Sequence, residues 1–159
     1  MGRQVAADYS GKRPLVVGTL TGAFLFLADL ARSLEPVPEG LEVDFVRASS
    51  YRGTESSGSV ALHLPDSLSV AARHVLLVED IVDTGRTARR LTAALAGAGA
   101  ASVRLATLLD KPSRRVVDCT PDYTGFECPD EFVVGYGMDF NGLYRSLPYV
   151  GVLRPSVYS

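Results

Sequence analysis

The stretch VLLVEDIVDTGRTARRLTAAL, residues 75–95, decides the fold and contains the predicted binding site. Its first residues, Val75 to Val78, form a short apolar run that is typical of a parallel strand covered on both faces. Two acids, Glu79 and Asp80, follow this strand directly, and a turn with a glycine then opens a helix. Because open α/β sheets bind ligands at the carboxyl ends of their strands, we expect the two acids to face a ligand.

The turn after the two acids predicts a site for a phosphate group. A helix N-terminus offers free backbone N–H groups and the positive end of the helix dipole, and a glycine lets the anion approach closely. Adjacent carboxylates can accept hydrogen bonds from the two vicinal hydroxyls of a ribose. The stretch therefore favours a ribose 5-phosphate site. Its predicted residues are Glu79, Asp80, Asp83, Thr84, Gly85, Arg86 and Thr87.

A plainer interpretation of the same residues stays open from the local pattern alone. Asp83 and Thr84 are common helix caps, and acids at a strand end are often simply solvated. Two other phosphate motifs are excluded. The stretch lacks the GxxxxGK[ST] spacing of a nucleoside triphosphate loop, and Gly97 and Gly99 come too late for a GxGxxG dinucleotide fingerprint.

Length and composition indicate one globular domain. The chain has 159 residues, of which 47% are hydrophobic, and this is enough for a sizeable core. The net charge of −2, with acids and bases interspersed, favours neither a nucleic acid nor a membrane as partner. Cys119 and Cys128 are too few for a disulfide framework or a zinc cluster, so we expect reduced thiols. Residues 1–7 carry no targeting pattern, and the predicted location is the cytoplasm.

Strands and helices alternate along the rest of the chain, which predicts a mostly parallel α/β sheet. The patterns favour strands at residues 14–18, 42–46, 102–109 and 132–137, a helix at 23–34, and a closing segment at 147–153. The stretches 48–58 and 118–129 are rich in turn-forming residues, and we expect a surface loop and an irregular segment there.

Two further stretches each allow two interpretations. The turn Thr19-Leu20-Thr21-Gly22 can present backbone N–H groups to a second anion, or it is an ordinary tight turn between strand and helix. Tyr51 stands alone as an aromatic residue in the polar loop 48–58. It is either a lid residue over the ligand or a residue that packs on the surface.

Several separate strings, in the same order, resemble the hypoxanthine-guanine phosphoribosyltransferases, a group within the type I phosphoribosyltransferase family. The resemblance runs from about Asp8 to Leu153 and looks closest to plant and green algal members. It implies a mostly parallel twisted sheet, flanked by helices, with a small hood over a base pocket. The strings that carry it are residues 22–24 with 28–30, Ser50-Tyr51, the stretch 79–87, LDKPSRR at 109–115 and PDEFVVGYGMD at 129–139.

The resemblance implies a single domain over residues 1–159, with a core at about 12–110 and a hood and base-binding segment at about 111–159. Two departures from the family pattern stand out. Thr21 occupies a position where many members carry a lysine. Relatives also have an additional N-terminal segment, including a helix before the position of Asp8 that contributes to the hood, and we expect this part to be absent here.

The implied activity is purine salvage by Mg²⁺-dependent transfer of a phosphoribosyl group. Phosphoribosyl pyrophosphate and hypoxanthine or guanine would give IMP or GMP and pyrophosphate. By resemblance, Glu79 and Asp80 hold the ribose hydroxyls, and residues 83–87 hold the 5′-phosphate. Asp83 also lies near N7 of the purine and acts as general base.

The resemblance also implies the remaining site residues. Ile81, Lys111, Phe132, Val133 and Asp139 would bind the purine, with Lys111 donating to its O6 atom. The pyrophosphate and lid residues would be Leu20, Thr21, Gly22, Ser50, Tyr51 and Arg145. The counterpart of the turn contains a cis peptide, expected here at Leu20-Thr21, and Asp139 would be the protein ligand of Mg²⁺. Members of the group lead us to expect a homodimer or a homotetramer.

Two alternatives to an ordinary transferase remain at this stage. One is a short form with weak catalysis, and the other is a non-catalytic regulator of the same fold that binds nucleotide and RNA. A regulator of that kind should have a basic surface, whereas the isoelectric point of this chain is about 5.7. The preference between hypoxanthine and guanine, and the acceptance of xanthine, stay open.

Overall fold

The computed structural model describes residues 1–50 and 60–157, which form one large sheet, one small sheet and flanking helices. The α-helices are α1 (Gly2–Asp8), α2 (Phe24–Arg32) and α3 (Arg86–Gly97). The strands are β1 (Leu15–Leu20), β2 (Glu42–Ser50), β3 (Val60–His63), β4 (His74–Val82), β5 (Ser102–Asp110), β6 (Tyr123–Glu127), β7 (Val133–Val134) and β8 (Gly151–Val152). Short 3-10 helices lie at Pro112–Arg114 and Pro155–Val157.

The large sheet has the strand order β3-β2-β1-β4-β5-β6. Its strands run parallel except β3, which pairs antiparallel with β2. From β1 the chain first builds the sheet towards β2, and it then returns to place β4 on the other side of β1. The strand order therefore reverses between β1 and β4, and in open α/β sheets a ligand crevice forms at this position, outside the carboxyl ends of the strands.

Both faces of the large sheet are covered, and this confirms the expected fold class. Side chains of β4 alternate between two buried clusters. Leu76 and Val78 pack with α1 and α2 on one face, whereas Val75 and Leu77 pack with α3 on the other. All four are fully buried. A strand with both faces buried explains why its sequence is a continuous apolar run rather than an alternating one.

A small two-stranded sheet, formed by antiparallel β7 and β8, stands beside the large one. A third buried cluster, made of Leu109, Cys128 and Met138, connects it to the end of β5. The predicted strand at 132–137 is therefore wrong in its length and in its sheet. Gly135, Tyr136 and Gly137 all have positive φ, a conformation that ends the extended run after Val134.

The segment 118–129, expected to be irregular, contains β6, which pairs parallel with β5 at the edge of the large sheet. Only its first residue, Tyr123, is buried, and the side chains from Thr124 to Glu127 are exposed. An exposed edge strand has no alternating apolar pattern, and this explains the wrong prediction. The predicted loop 48–58 likewise begins inside β2, which extends to Ser50.

Helix α1 leads into Asp8, and its contacts distinguish it from the hood helix of relatives, whose absence here stays a prediction. Helix α1 ends at Asp8, and the next residue, Tyr9, is buried and donates a hydrogen bond from its hydroxyl to the Val75 carbonyl at 3.0 Å. The Asp8 carboxylate accepts hydrogen bonds from Arg104 at 2.8 Å and from Tyr123 at 2.7 Å. These contacts lie at the amino ends of the strands, so α1 belongs to the core and takes no part in covering a base.

Cys119 and Cys128 are both free cysteines in the structure. Within residues 1–50 and 60–157, no helix combines the length and the apolar character that crossing a membrane requires.

Leu91 offers a test of the packing between α3 and the sheet. Its side chain is fully buried, and Leu91→Ala would leave a cavity beside β4. We expect the free energy of unfolding, measured by urea titration, to fall by about 2 to 5 kcal/mol. Arg90→Ala, at the neighbouring exposed position of the same helix, is the control and should change stability by less than about 0.5 kcal/mol. Equal losses in both variants would contradict the described orientation of α3.

Candidate active site

A cavity of about 360 Å³ opens at the switch point between β1 and β4. The carboxyl ends of these two strands and the start of α3 surround it. Most of the predicted sugar-phosphate residues are thus brought together. The lining residues are Thr19, Gly22, Ala48, Glu79, Asp80, Ile81, Val82, Asp83, Thr84, Gly85, Thr87, Ala88, Asp139 and Arg145.

Two adjacent carboxyl groups dominate the electrostatics of this cavity. Glu79 is only 4% exposed, and burial, together with the neighbouring charge of Asp80, raises its pKa well above the usual carboxyl range. Burial also raises the pKa of Asp80, against the opposing effect of backbone hydrogen bonds. Among the described residues, neither Oε1 of Glu79 nor the Thr19 hydroxyl has a hydrogen-bond partner. Unpaired buried oxygens are costly, so they indicate a position for ligand hydroxyls.

The turn from Leu20 to Gly22 faces these carboxyl groups. Its Leu20-Thr21 peptide is cis, as the resemblance led us to expect. A Cβ atom on Gly22 would overlap the Asp80 carboxylate, so a glycine is needed for the turn to approach β4 this closely. At Gly22 the turn therefore presents its backbone to the cavity.

The turn between β4 and α3 has the conformation of an anion cradle. Gly85 is the N-cap residue of α3, and its φ of +81° lies in the left-handed region that favours glycine. The helix start has no side-chain cap hydrogen bond. Asp83 and Thr84 therefore do not cap α3, and this removes support from the plainer interpretation of these residues. The N-terminus of α3 remains available to an anion.

A second cavity, of about 230 Å³, lies on the hood side of Asp83. It brings together the five residues predicted to bind the base, and Met138 joins them as a lining residue. Phe132 makes an edge-to-face contact with Phe140, with ring centroids 5.5 Å apart. The lining residues are Asp80, Ile81, Asp83, Lys111, Phe132, Val133, Met138 and Asp139.

Lys111 supplies the positive charge of the second cavity. Its side chain is only 7% exposed, and its ammonium group donates to the Glu131 carbonyl at 2.6 Å. An ammonium group has three N–H donors, so this contact leaves donor capacity for a ligand acceptor. Asp83, another lining residue, forms an ion pair with Arg114 at 3.3 Å, and the same guanidinium lies 3.5 Å from Asp130.

Asp139 and Arg145 join the hood to the first cavity. The Arg145 guanidinium pairs with the Asp139 carboxylate at 2.7 Å and donates to the Gly137 carbonyl at 2.7 Å. The Gly142 amide donates to the other Asp139 oxygen at 2.7 Å. Both side chains line the first cavity, and Asp139 lines the second as well. The hood thus brings one carboxylate, of Asp139, and one guanidinium, of Arg145, to the position where the two cavities meet.

Not every predicted residue reaches a cavity. Leu20, Thr21 and Arg86 line neither of the two, although all three lie next to lining residues. Ser50 ends β2, and Tyr51 lies outside the described residues, so its predicted lid role stays a prediction. Sequence reasoning gave no role to Ala48, Met138, Arg114 or Arg115. The two arginines directly follow the string Lys111-Pro112-Ser113, and this position in the sequence is the only signal for them.

Comparisons with known proteins agree on one family. The model of the phosphoribosyl transferase domain matches residues 2–141. A hypoxanthine-guanine phosphoribosyltransferase of Lactococcus lactis is 49% identical over 160 residues, which cover 100% of this chain and 85% of that protein.

Solved structures extend the comparison to the fold. The crystal structure of a hypoxanthine phosphoribosyltransferase from Staphylococcus aureus superposes with a TM-score of 0.90 at 44% identity, and it covers 99% of this chain and 85% of that one. A hypoxanthine phosphoribosyltransferase from Trypanosoma cruzi, in complex with the product IMP, gives 0.88 at 40% identity, with 99% and 87% covered. The similar curated proteins are bacterial, which corrects the expected likeness to plant and green algal members.

The buried Glu79 predicts a specific dependence of stability on pH. Its raised pKa means that the folded state binds this proton more tightly than the unfolded state does. Stability is therefore lost as pH rises from the ordinary carboxyl pKa through the raised one. Glu79→Gln cannot ionise, so we expect it to unfold at a similar urea concentration to wild type at about pH 4 and at a higher one at about pH 8.

The matched control is Glu39→Gln, at an exposed position outside both cavities. It should follow the wild-type pH dependence. Asp80 is present in all three proteins, so the difference between Glu79→Gln and wild type reports the Glu79 charge together with its interaction with Asp80. A Glu79→Gln curve parallel to that of wild type would show that Glu79 is already ionised without strain in the folded protein.

Proposed function

The chain belongs to the phosphoribosyl transferase family, and from that membership we propose that it transfers the phosphoribosyl group of phosphoribosyl pyrophosphate to hypoxanthine or guanine. The products are IMP or GMP and pyrophosphate, so the protein acts in purine salvage. The observation that carries the proposal is the wall shared by the two cavities, formed by Asp80, Ile81, Asp83 and Asp139. An acid-lined cavity for a sugar phosphate there adjoins a slot for a flat base.

We propose that the first cavity holds the ribose 5-phosphate. Glu79 and Asp80 accept hydrogen bonds from the ribose hydroxyls, and the unpaired Oε1 of Glu79 supports this role. The 5′-phosphate lies against residues 83–87, where backbone N–H groups, the hydroxyls of Thr84 and Thr87 and the start of α3 favour an anion. Arg86 lies at the first position of α3, where its charge also favours the phosphate.

The second cavity is proposed to bind the purine. Lys111 donates to O6, Phe132 stacks on one side of the ring and Ile81 packs on the other. The main chain near Val133 and Asp139 accepts hydrogen bonds from the base edge. The burial of Lys111 supports this assignment, because a buried ammonium with spare donors is suited to a buried acceptor.

Pyrophosphate is proposed to leave past the Leu20–Gly22 turn. Backbone groups of this turn and the Arg145 guanidinium donate to its oxygens, and Ser50 and Tyr51 close over the site to exclude water. The Arg145 side chain already lines the first cavity, which supports its part in this proposal. Thr21 brings no charge to this turn, so Arg145 carries more of the neutralisation.

Mg²⁺ is proposed as the cofactor, with Asp139 as its protein ligand. Within the described residues, no group of three or more His, Cys, Asp or Glu side chains is arranged to hold a metal. This fits Mg²⁺, which keeps most of its waters and substrate oxygens and needs only one or two carboxylates from the protein. Bound there, the ion would neutralise charge that develops on pyrophosphate. Asp139 already holds Arg145 and the Gly142 amide, so the protein orients this carboxylate in advance.

The protein residues then act as follows. The base and the ribose are held on either side of the shared wall, so that the purine nitrogen approaches C1 as its bond to pyrophosphate breaks. Glu79 and Asp80 fix the ribose while positive charge develops on the ring. Asp83, at the boundary of both cavities, accepts the proton that N7 must lose. Its ion pair with Arg114 keeps the carboxylate in place before the base binds.

The wider setting is also a proposal. The chain acts as one phosphoribosyltransferase domain. Because β6 belongs to the large sheet, the hood that we propose begins after β6 rather than at residue 111. We infer that the protein works in the cytoplasm as a homodimer or a homotetramer. Phe126 supports a contact between copies, since it is 67% exposed on the edge strand β6 beside an apolar hollow lined by Phe26 and Leu30.

One assay tests the proposed function directly. The protein is incubated with phosphoribosyl pyrophosphate, Mg²⁺ and one purine base at a time, and the nucleotides are separated by chromatography. Formation of IMP or GMP supports the proposal and ranks the two bases. Binding of IMP without turnover would instead favour the regulator, and slow turnover with all bases would favour a weak form.

Asp83→Asn tests the general base. The amide keeps the size of the side chain but cannot accept the N7 proton, so we expect kcat to fall by about 10²-fold or more with a smaller change in KM. Asp66→Asn, at an exposed position outside the cavities, is the control. Wild-type kcat in Asp83→Asn would remove Asp83 from the chemistry.

Lys111 should set the specificity against adenine. Hypoxanthine and guanine present an acceptor at O6, whereas adenine presents an amino donor there, and an ammonium group can only donate. We expect kcat/KM for hypoxanthine or guanine to exceed that for adenine by roughly 10⁴-fold, because adenine leaves the N–H of Lys111 that is directed at the base without an acceptor. Lys111→Ala should lose most 6-oxopurine turnover and much of this ratio.

The chain has two lysines, so Lys12→Ala at the other, exposed position is a matched control and should keep both values. Similar wild-type kcat/KM values for adenine and hypoxanthine, measured side by side, would overturn the assignment of Lys111 and of the base slot.

A further inference from the structure

We propose that Arg115 is a positioning residue for the phosphate cradle, and that it acts by holding the backbone carbonyls behind the turn between β4 and α3. This inference rests on the proposed function, since it assigns the cradle to the 5′-phosphate. Arg115 lines neither cavity and touches no predicted ligand position. Its effect on binding is therefore transmitted entirely through the main chain of residues 82–85.

The guanidinium of Arg115 makes three contacts beneath the turn. One nitrogen donates to the Val82 carbonyl at 2.9 Å and also to the Asp83 carbonyl, and the other terminal nitrogen pairs with the Asp110 carboxylate. The side chains of Arg115 and Asp110 are both only 15% exposed. A buried, planar donor with several fixed partners holds its acceptors in one geometry more firmly than an exposed one does.

The backbone of the same segment completes the arrangement. The Lys111 amide donates to the Val82 carbonyl at 2.9 Å, and the Val116 amide donates to the Thr84 carbonyl at 3.1 Å. The carbonyls of Val82, Asp83 and Thr84 are consecutive, and each accepts a hydrogen bond from residues 111–116. We call residues 111–116 the strap. It holds three peptide units of the turn from one side.

Holding these carbonyls also sets the direction of the N–H groups. In a trans peptide unit the C=O bond and the following N–H bond point in opposite directions. The cis peptides of the described chain are at Leu20-Thr21 and Glu35-Pro36, so the units after Val82, Asp83 and Thr84 are trans. Carbonyls directed to the strap therefore turn the amides of residues 83–85 away from it. Residues 83–85 line the first cavity, where the phosphate is proposed to bind.

The stem of Arg115 supports the turn by packing as well. A Cβ atom built on Gly85 would lie 2.8 Å from Cδ of Arg115 and 3.0 Å from Cβ of Cys119. Gly85 thus packs directly against the side chain of Arg115, with no space between them. Loss of the Arg115 side chain would remove both the donors and the packing surface beneath the residue that starts α3.

The test compares two ligands that differ only in the phosphate. IMP carries the 5′-phosphate and inosine lacks it, so the ratio of their dissociation constants isolates the cradle. Calorimetric titration of the whole protein without added metal would measure both constants. In Arg115→Met, which keeps an unbranched side chain but has no donors, we expect IMP to bind roughly 10- to 100-fold more weakly. Inosine should change by less than about 3-fold.

The matched control is Arg104→Met. Arg104 is also partly buried and paired with a carboxylate, Asp8, but it lies at the amino ends of the strands. Its loss should lower the melting temperature and leave the ratio between IMP and inosine unchanged. A purely structural role for Arg115 would give the same result as Arg104→Met, and this would overturn the inference.

Two other outcomes are also decisive. If wild type binds inosine as tightly as IMP, both the cradle and the proposed function fall. If wild type prefers IMP and Arg115→Met keeps that preference, only the inference falls. Should Arg115→Met fail to fold, Arg115→Lys keeps the charge but cannot reach both carbonyls and Asp110 with one planar group. A selective loss of IMP affinity in Arg115→Lys supports the inference, and an unchanged ratio overturns it.

Discussion

The burial of two adjacent carboxyl groups at the carboxyl end of β4 is the constraint on which the rest of the structure depends. Moving a carboxylate out of water is costly unless a partner replaces the water. Glu79 has an unpaired buried oxygen, so the folded chain alone does not meet this requirement. At the switch point between β1 and β4, Thr19 and Gly22 line the same cavity as the two acids. This cavity leaves room for the hydroxyls of a ligand. The stability of the site and its affinity for a polar ligand are therefore opposed in the free protein.

The parts of the site that the sequence predicted are those formed by local rules. The apolar run 75–78, the acids after it and the glycine before α3 lie within a few residues of one another, and each has a preference that matches its role. Lys111 was singled out because a family string contains it, and its side chain lines the second cavity. Each of these residues could be identified from its sequence neighbours or from a family string, without knowledge of contacts between distant segments.

The parts that the sequence did not predict depend on contacts between distant segments. Strand β6 has mostly exposed side chains and joins the sheet through backbone pairing, which leaves no periodic pattern. Strand β7 ends at Val134, because positive φ begins at Gly135 and continues at Tyr136, where it is unusual for an aromatic residue. Arg115 carried no signal beyond its position after a matched string, since its partners at 82, 83 and 110 become neighbours only when β4 and β5 pair.

The close approach of Gly22 and Gly137 has a consequence for how this enzyme can change over evolutionary time. A Cβ atom on Gly137 would overlap the Gly22 carbonyl, just as one on Gly22 would overlap Asp80. The hood, the turn after β1 and the end of β4 are thus stacked without space for a single methyl group. A lineage that alters the hood to accept another base cannot shift it towards the sheet at this point. A change in base preference therefore has to come from side chains that line the slot, such as Met138 and Val133, and not from movement of the hood backbone towards the sheet at this contact.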